Sequence, residues 1–133
     1  MSDSPEPAER ITEAEHAVME ALWERAPLTA AEVAGEVSEA RGWSLATVKT
    51  LLSRLVAKRA VATEPDGKRF LYHPQIERAD YLGGESRRLV ERLFGGRAAS
   101  LFAHLAEEEA LSEADIAEIE TLLDELKRKG EGQ

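Results

Sequence analysis

The chain has 133 residues, of which 26 are acidic and 17 basic, so its formal net charge is -9. A negative total disfavours an indiscriminate DNA coat, a polybasic membrane-surface protein and a binder of acidic substrates. The chain has no cysteine, which excludes disulfides, thiolate metal sites and a cysteine nucleophile. The length suits one small domain, alone or with an appended oligomerisation segment.

Several further classes of function are disfavoured by what the chain lacks. No apolar window approaches the roughly 18 to 20 residues of a membrane span, and the start of the chain has no signal-peptide pattern. We therefore expect a cytoplasmic protein without membrane insertion. His16, His73 and His104 are too far apart in sequence to form a ligand-spaced pair. With no nucleophile–base pair or phosphate-binding loop either, we expect no catalytic residues, no metal, no cofactor and no enzyme activity.

Residues 1–10 are predicted to be a flexible leader, and three short amphipathic helices follow within the first 60 residues. Thr12 and Thr29 each precede a glutamate by three positions, the spacing of a capping box, in which side chain and backbone bond reciprocally at a helix start. Ser44 begins the third helix, which runs to about Lys58. The apolar stripe of this helix, which we expect to lie in the core, consists of Leu45, Val48, Leu51, Leu52, Leu55 and Val56.

The residues after the third helix have strand character. Val61 to Thr63 and Arg69 to Tyr72 are rich in strand-forming side chains, and Glu64-Pro65-Asp66-Gly67 between them suits a turn. Three helices followed by a β-hairpin are the outline of a winged helix-turn-helix domain, whose third helix enters the major groove of DNA. The fold class is therefore predicted as mainly α with a small β-hairpin wing, and the winged helix is assigned to residues 11–75.

Residues 76–128 are predicted to form a C-terminal helical dimerisation region, with a tail at 129–133. The helix from about Glu77 to Phe94 contains Gly83-Gly84, where we expect a bend or a boundary. A shorter helix and a last helix beginning at Ser112 follow. An amphipathic helix cannot bury its apolar face alone, so this face packs either on the first domain or on a second copy. The candidates for a dimer interface are Leu101, Leu105, Ile116, Ile119, Leu122, Leu123 and Leu126.

The polar face of the third helix carries short side chains with a few long donors, a combination that lets a helix approach the bases closely. From Arg41 to Thr63, 23 consecutive residues include no Asp or Glu, and residues 41–74 carry a net charge of +5 between flanks of -8 and -6. Arg54 could read guanine through a bidentate fork. Cations next to the turn could meet phosphates or the minor groove. The candidate DNA-binding residues are Arg41, Ser44, Ala46, Thr47, Lys49, Thr50, Ser53, Arg54, Lys58, Lys68 and Arg69.

The residues around the third helix resemble the penicillinase-repressor family of the BlaI, MecI and CopY type. The motifs that carry the resemblance are Trp43-Ser44, Thr47-Val48, Thr50-Leu51-Leu52, Arg54-Leu55, Lys58 and Arg69-Phe70-Leu71-Tyr72. With the similar opening at Thr12-Glu13-Ala14-Glu15, the resemblance covers about residues 11–126. It implies a homodimeric transcriptional repressor that binds a palindromic operator of double-stranded DNA and dimerises through its C-terminal helices.

The sequence departs from this family at three places. The copper-responsive branch has a C-terminal cysteine pattern that is absent here, which argues against copper sensing by that route. The β-lactam branch is inactivated by cleavage at an Asn-Phe bond, where this chain has Phe102-Ala103-His104-Leu105. This difference argues against induction by cleavage at that bond, whereas a regulatory protease that cuts at another site stays open as a partner. The glycine that tends to follow the third helix is replaced by Arg59, a substitution that costs energy if φ is positive there.

Two other functions are compatible with the same outline. A winged helix can serve as a protein-interaction module without DNA binding, with the acidic flanks as its contact surface, but the net charge of +5 in the centre argues against this. A ligand-sensing regulator with a pocket between its domains is the other alternative, but no convergent polar cluster marks such a pocket.

Overall fold

The computed structural model describes residues 10–131. Of the predicted leader and tail, residues 1–9 and 132–133 lie outside the described part. The described residues form two compact units, which divide between Gly84 and Glu85. Among the described residues, no helix is both long enough and apolar enough to cross a membrane.

Three helices form the first part of the first unit: α1 at Glu13–Glu24, α2 at Ala30–Arg41 and α3 at Leu45–Ala57. The capping boxes predicted at Thr12 and Thr29 are confirmed, with the threonine hydroxyl and the glutamate three residues later each bonded to the other's backbone N–H. Ser44 caps α3, where its Oγ accepts a hydrogen bond of 3.2 Å from the N–H of Thr47. Side chains thereby satisfy backbone donors that the first helical turn leaves unpaired.

The wing is part of a three-stranded sheet formed by β1 at Leu28–Thr29, β2 at Val61–Asp66 and β3 at Arg69–Pro74. The sheet is antiparallel, with strand order β1-β3-β2. The predicted hairpin is confirmed by the pairing of β2 with β3, from Val61 opposite Pro74 to Asp66 opposite Arg69. Strand β1 was not predictable from the sequence, because a strand of two residues directly before a helix has no alternation to detect. Its pairing with β3 ties the base of the wing to the start of α2.

The core of the first unit lies between the three helices and the base of the sheet. Its most deeply buried apolar side chains include Val18, Met19, Leu22, Val33, Val48, Leu52 and Leu55. Leu45 and Val56, expected in this core, are instead 42% and 36% exposed. Both lie on the flank of the α3 stripe, about 60° and 80° around the helix axis from Val48, and both lie near a helix end. The α3 stripe is therefore wider than the core that it contacts.

The first unit includes the segment that follows β3, and this segment packs on α1. The indole Nε1 of Trp23 donates a hydrogen bond of 2.8 Å to the carbonyl of Ile76. Arg78 forms an ion pair with Glu20 at 2.9 Å, and the ring of Tyr81 lies 5.6 Å from that of Trp23. These contacts fix the far end of β3, and with it the wing, relative to α1.

The remaining helices are α4 at Arg78–Phe94, α5 at Ala98–Glu107 and α6 at Glu113–Glu131. A helix boundary at Gly83-Gly84 is wrong, because α4 runs through both glycines, and a bend there stays a prediction. Glycine weakens a helix by about 1 kcal/mol per residue but does not forbid one. The predicted end of this helix at Phe94 is confirmed, and Gly95 and Gly96 follow it with φ of 60° and 89°. The start predicted at Ser112 is confirmed by its reciprocal bonds with Asp115, each 3.0 Å.

Candidate DNA-binding surface

Packing on the core determines which face of α3 meets solvent. Val48, Leu51, Leu52 and Leu55 are at most 5% exposed and hold the helix against α1 and α2. The opposite face is exposed along its whole length, and it brings together Ala46, Thr47, Lys49, Thr50, Ser53 and Arg54. Six of the predicted DNA-binding residues therefore share one accessible surface, which we call the α3 face.

The hydroxyl groups at the start of α3 already have partners within the helix. Ser44 Oγ, besides capping the helix, lies 3.2 Å from Thr47 Oγ1. Thr50 Oγ1 donates a hydrogen bond of 3.1 Å to the carbonyl of Ala46. Because its hydrogen is used there, Thr50 offers only acceptor lone pairs outward. In this geometry it suits a base amino group better than a phosphate oxygen.

Three cations of the surface are unpaired within residues 10–131: Lys49 and Arg54 on the α3 face, and Lys68 in the turn of the wing. Gly67, with φ of 65°, provides the left-handed residue of that turn. An exposed cation without a carboxylate partner keeps its full charge for an incoming phosphate or base.

Three other predicted cations are paired. Arg69 Nε lies 3.0 Å from Asp66 Oδ2 across the wing turn, an exposed pair that costs little to exchange for a phosphate. Arg41 lies 3.6 Å from Glu13 and 5.3 Å from the centre of the Trp43 ring. Lys58 differs from both because its side chain is only 12% exposed and its Nζ lies 2.6 Å from Glu15 Oε1. The structure therefore places Lys58 beside the core, away from the α3 face.

The buried environment of Glu15 supports this ion pair. The carboxylate is 1% exposed, and burial alone would raise its pKa. Hydrogen bonds from Lys58 and from the Thr12 N–H outweigh that effect and lower the pKa below its ordinary value. Lys58 also donates a hydrogen bond of 2.9 Å to the carbonyl of Arg10. It thus connects the end of α3 to the start of α1.

Two exposed apolar side chains of the surface were not predicted from the sequence. Leu45, at the first position of α3, is exposed although it belongs to the apolar stripe. Phe70 of β3 is 50% exposed and lines a shallow groove of about 240 Å³ with Ser53, Val56, Thr63 and Tyr72. The sequence carries no signal for this exposure, because burial along β3 does not alternate: Arg69 and Phe70 are exposed and the next four residues are half-buried.

These elements define the class of protein. Three helices with an exposed, acid-free third helix, followed by a wing whose turn carries Lys68 and Arg69, form a winged-helix transcriptional regulator. The chain matches the family model of the penicillinase repressor over residues 11–125. It belongs to this family, and it is a DNA-binding transcriptional repressor with no enzymatic role.

Individual relatives agree with this assignment. The penicillinase repressor of Bacillus licheniformis is 32% identical over 120 residues, which cover 90% of this chain and 94% of that protein. The methicillin resistance regulatory protein MecI of Mammaliicoccus sciuri is 30% identical over 113 residues, or 85% of this chain and 92% of that one. Among solved structures, the DNA-binding domain of the repressor BlaI matches with a TM-score of 0.51 and 35% identity, covering 59% of this chain and 93% of that one.

Proposed function

We propose that this repressor binds a palindromic operator as a homodimer, with α3 of each copy in a major groove. The α3 face carries the proposal, because it combines short side chains with the unpaired cations Lys49 and Arg54 and has no acidic residue. Arg54 would read guanine, and Lys68 of the wing would meet a flanking phosphate. Lys58 has a different role, in which its ion pair with Glu15 holds α3 in place.

The second unit supports the homodimer. Within α4, α5 and α6 no side chain is buried, and several large apolar side chains are about half exposed. They include Leu93, Phe102, Ile116, Leu122, Leu123 and Leu126. Of the predicted interface residues, Leu101, Leu105 and Ile119 are half-buried and the other four are exposed. A unit without a core of its own needs a partner surface, and a second copy would offer a matching one.

Binding to the DNA upstream of the protein's own gene, measured across a salt series, tests the proposal. Phosphate contacts release counterions, so log K should fall linearly with log salt concentration, with a slope of about -0.9 per contacted phosphate. We expect preference over random DNA and half-sites separated by one or more turns of about 10 to 10.5 base pairs. A flat salt response or an absence of preference would contradict DNA binding by this surface.

Two substitutions separate base reading from phosphate contact. Arg54→Ala should lower affinity for the operator by roughly 1 to 3 kcal/mol while affecting random DNA little, because a lost base contact removes discrimination. Lys68→Ala should weaken both duplexes to a similar extent and reduce the salt slope by about one contact. Competition titrations with both duplexes measure the difference. An equal loss of preference in the two variants would contradict the assigned roles.

A further inference from the structure

The exposed apolar side chains of the first unit are concentrated on one surface. Within residues 10–84, the large apolar side chains that are substantially exposed are Leu45, Val56 and Phe70. All three lie on α3 or β3, the elements of the proposed DNA-binding surface, and α1 and α2 present none in this part of the chain. Single exposed apolar residues are common on protein surfaces. Their restriction to α3 and β3, however, indicates that these elements make an apolar contact with a ligand.

Leu45 occupies the position on α3 that is best placed for such a contact. It is the first helical residue, directly after the capping residue Ser44, and its side chain is 42% exposed. The bond from the Thr47 N–H to Ser44 fixes the start of the helix and therefore the place from which Leu45 projects. In helix-turn-helix proteins the N-terminal residues of the recognition helix are those that contact base edges.

The chemistry of the major groove limits what a leucine can recognise. An isobutyl group neither donates nor accepts hydrogen bonds, so phosphates and the polar edges of the bases offer it nothing. The C5-methyl group of thymine is the apolar feature that the major groove displays. We propose that Leu45 is a specificity-determining residue that packs against a thymine methyl group in each half-site. This inference rests on the proposed function, because it requires α3 to lie in the major groove.

Val56 provides a matched control on the same helix. It is similarly exposed, at 36%, but it lies in the last turn of α3 and lines the groove next to Phe70. It lies eleven positions after Leu45, or about 16 Å along the helix axis, so the two side chains cannot contact the same base. Loss of apolar surface from α3 in general can thus be distinguished from loss at its N-terminal end.

The test replaces thymine by deoxyuridine, which lacks only the methyl group. Sites are enriched from random duplexes with the full-length protein, and each thymine of the enriched half-site is then replaced by deoxyuridine in turn. One replacement should weaken wild-type binding about fourfold, the value of one buried methyl group. Leu45→Ala should lose that response, whereas Leu45→Met, which keeps an apolar side chain of similar reach, and Val56→Ala should retain it.

The outcomes separate the inference from the function on which it rests. If no site is enriched above random DNA, the proposed function fails and the role of Leu45 fails with it. If a site is enriched but no deoxyuridine replacement weakens binding, or if the response persists in Leu45→Ala, only the role of Leu45 is overturned. Because Leu45 is exposed, Leu45→Ala should fold, and an unchanged circular dichroism spectrum and melting temperature confirm that the variant tests recognition.

Discussion

At the residue scale, the end of α3 contains a conformation that its side chain disfavours. Arg59 has φ of 65°, the left-handed region in which Cβ crowds the backbone. The position closes α3 through two hydrogen bonds, from the Arg59 N–H to the carbonyl of Val56 at 3.0 Å and from the Ala60 N–H to that of Leu55 at 2.9 Å. This is the Schellman arrangement, which usually places glycine in the left-handed position.

Replacing Arg59 by glycine should therefore stabilise the fold. Relief of the left-handed strain should raise the free energy of unfolding by about 1 to 2 kcal/mol. The greater conformational freedom of glycine in the unfolded chain should lower it by about 0.4 to 1 kcal/mol. We expect a net gain of roughly 0.5 to 1 kcal/mol in the free energy of unfolding, measured by urea denaturation without DNA. Arg59→Ala keeps the Cβ and serves as the control. An equal gain in both variants would show that the arginine side chain, rather than the backbone, is the cause.

For single residues, the helix caps were predictable from the sequence, whereas the exposure of side chains at the ends of a helix was not. The caps at Thr12, Thr29 and Ser44 were predictable because a capping residue acts on backbone only two or three positions away. The exposure of Leu45 was not predictable, because it depends on how far the helices that pack against α3 extend. From the sequence it was predictable only that a positive φ at Arg59 would be unfavourable. The sign of φ depends on the direction that the chain takes from α3 into β2.

At the element scale, the ion pair between Lys58 and Glu15 determines how α3 sits on α1. The carboxylate is almost completely buried and also belongs to the capping box of α1, so one side chain joins the start of one helix to the end of another. The direction of the α3 face relative to the rest of the first unit therefore depends on a contact between residues 43 positions apart. Sequence alone placed Lys58 on the DNA surface, because helical periodicity does not reveal a partner on another helix.

Glu15→Gln should destabilise the protein by about 3 kcal/mol, because it leaves the charge of Lys58 buried without a counterion. The pH dependence gives a second readout. The lowered pKa of Glu15 in the folded state means that its contribution is fully present above the unfolded value of about 4.3. That contribution is lost as the pH falls through the lower, folded pKa. The variant should therefore lose less stability than wild type between pH 5 and pH 3.

Urea denaturation across that range measures both effects, and Glu13→Gln is the control. Glu13 also pairs with a predicted DNA-binding cation, Arg41, but its side chain is 86% exposed, so its removal should change stability by less than about 1 kcal/mol. The same stability loss and the same acid profile in both variants would contradict a special role for the buried pair.

Among the secondary-structure elements, those with strong local signals were predictable and those that depend on tertiary context were not. Each helix of the first unit has a capping residue and an apolar stripe, and the hairpin has a turn signal between two strand-prone segments. Strand β1 forms only because β3 passes beside Leu28 and Thr29. The continuity of α4 through Gly83 likewise departs from intrinsic propensity, which tertiary context often overrides.

At the scale of the whole molecule, the charge of -9 is divided so that it favours selective binding. The acidic residues are concentrated before and after the segment that contains α3 and the wing, and that segment carries +5. Acidic flanks repel DNA that approaches in other orientations, which lowers non-specific affinity. Raising the salt concentration should therefore weaken operator binding and also reduce this repulsion.

The apolar surface of the second unit leads to a prediction for the whole assembly. Leu122 and Leu126 are 52% and 63% exposed in the single chain and lie one helical turn apart on α6. If they lie in a dimer interface, replacing both by serine should convert the dimer to a monomer in sedimentation velocity. Affinity for a duplex with two half-sites should then fall on the order of 100-fold, because the second contact is no longer intramolecular. Affinity for a single half-site should stay unchanged.

Glu118 and Glu125, replaced together by serine, provide the control, since both are exposed positions of the same helix. This variant loses two charges but no apolar area, so it should remain a dimer and keep its affinity for the two-half-site duplex. A dimer that persists in Leu122→Ser/Leu126→Ser would place the interface elsewhere in the chain. A monomer that still bound both half-sites as tightly as wild type would show that the second unit does not link the two DNA-binding surfaces.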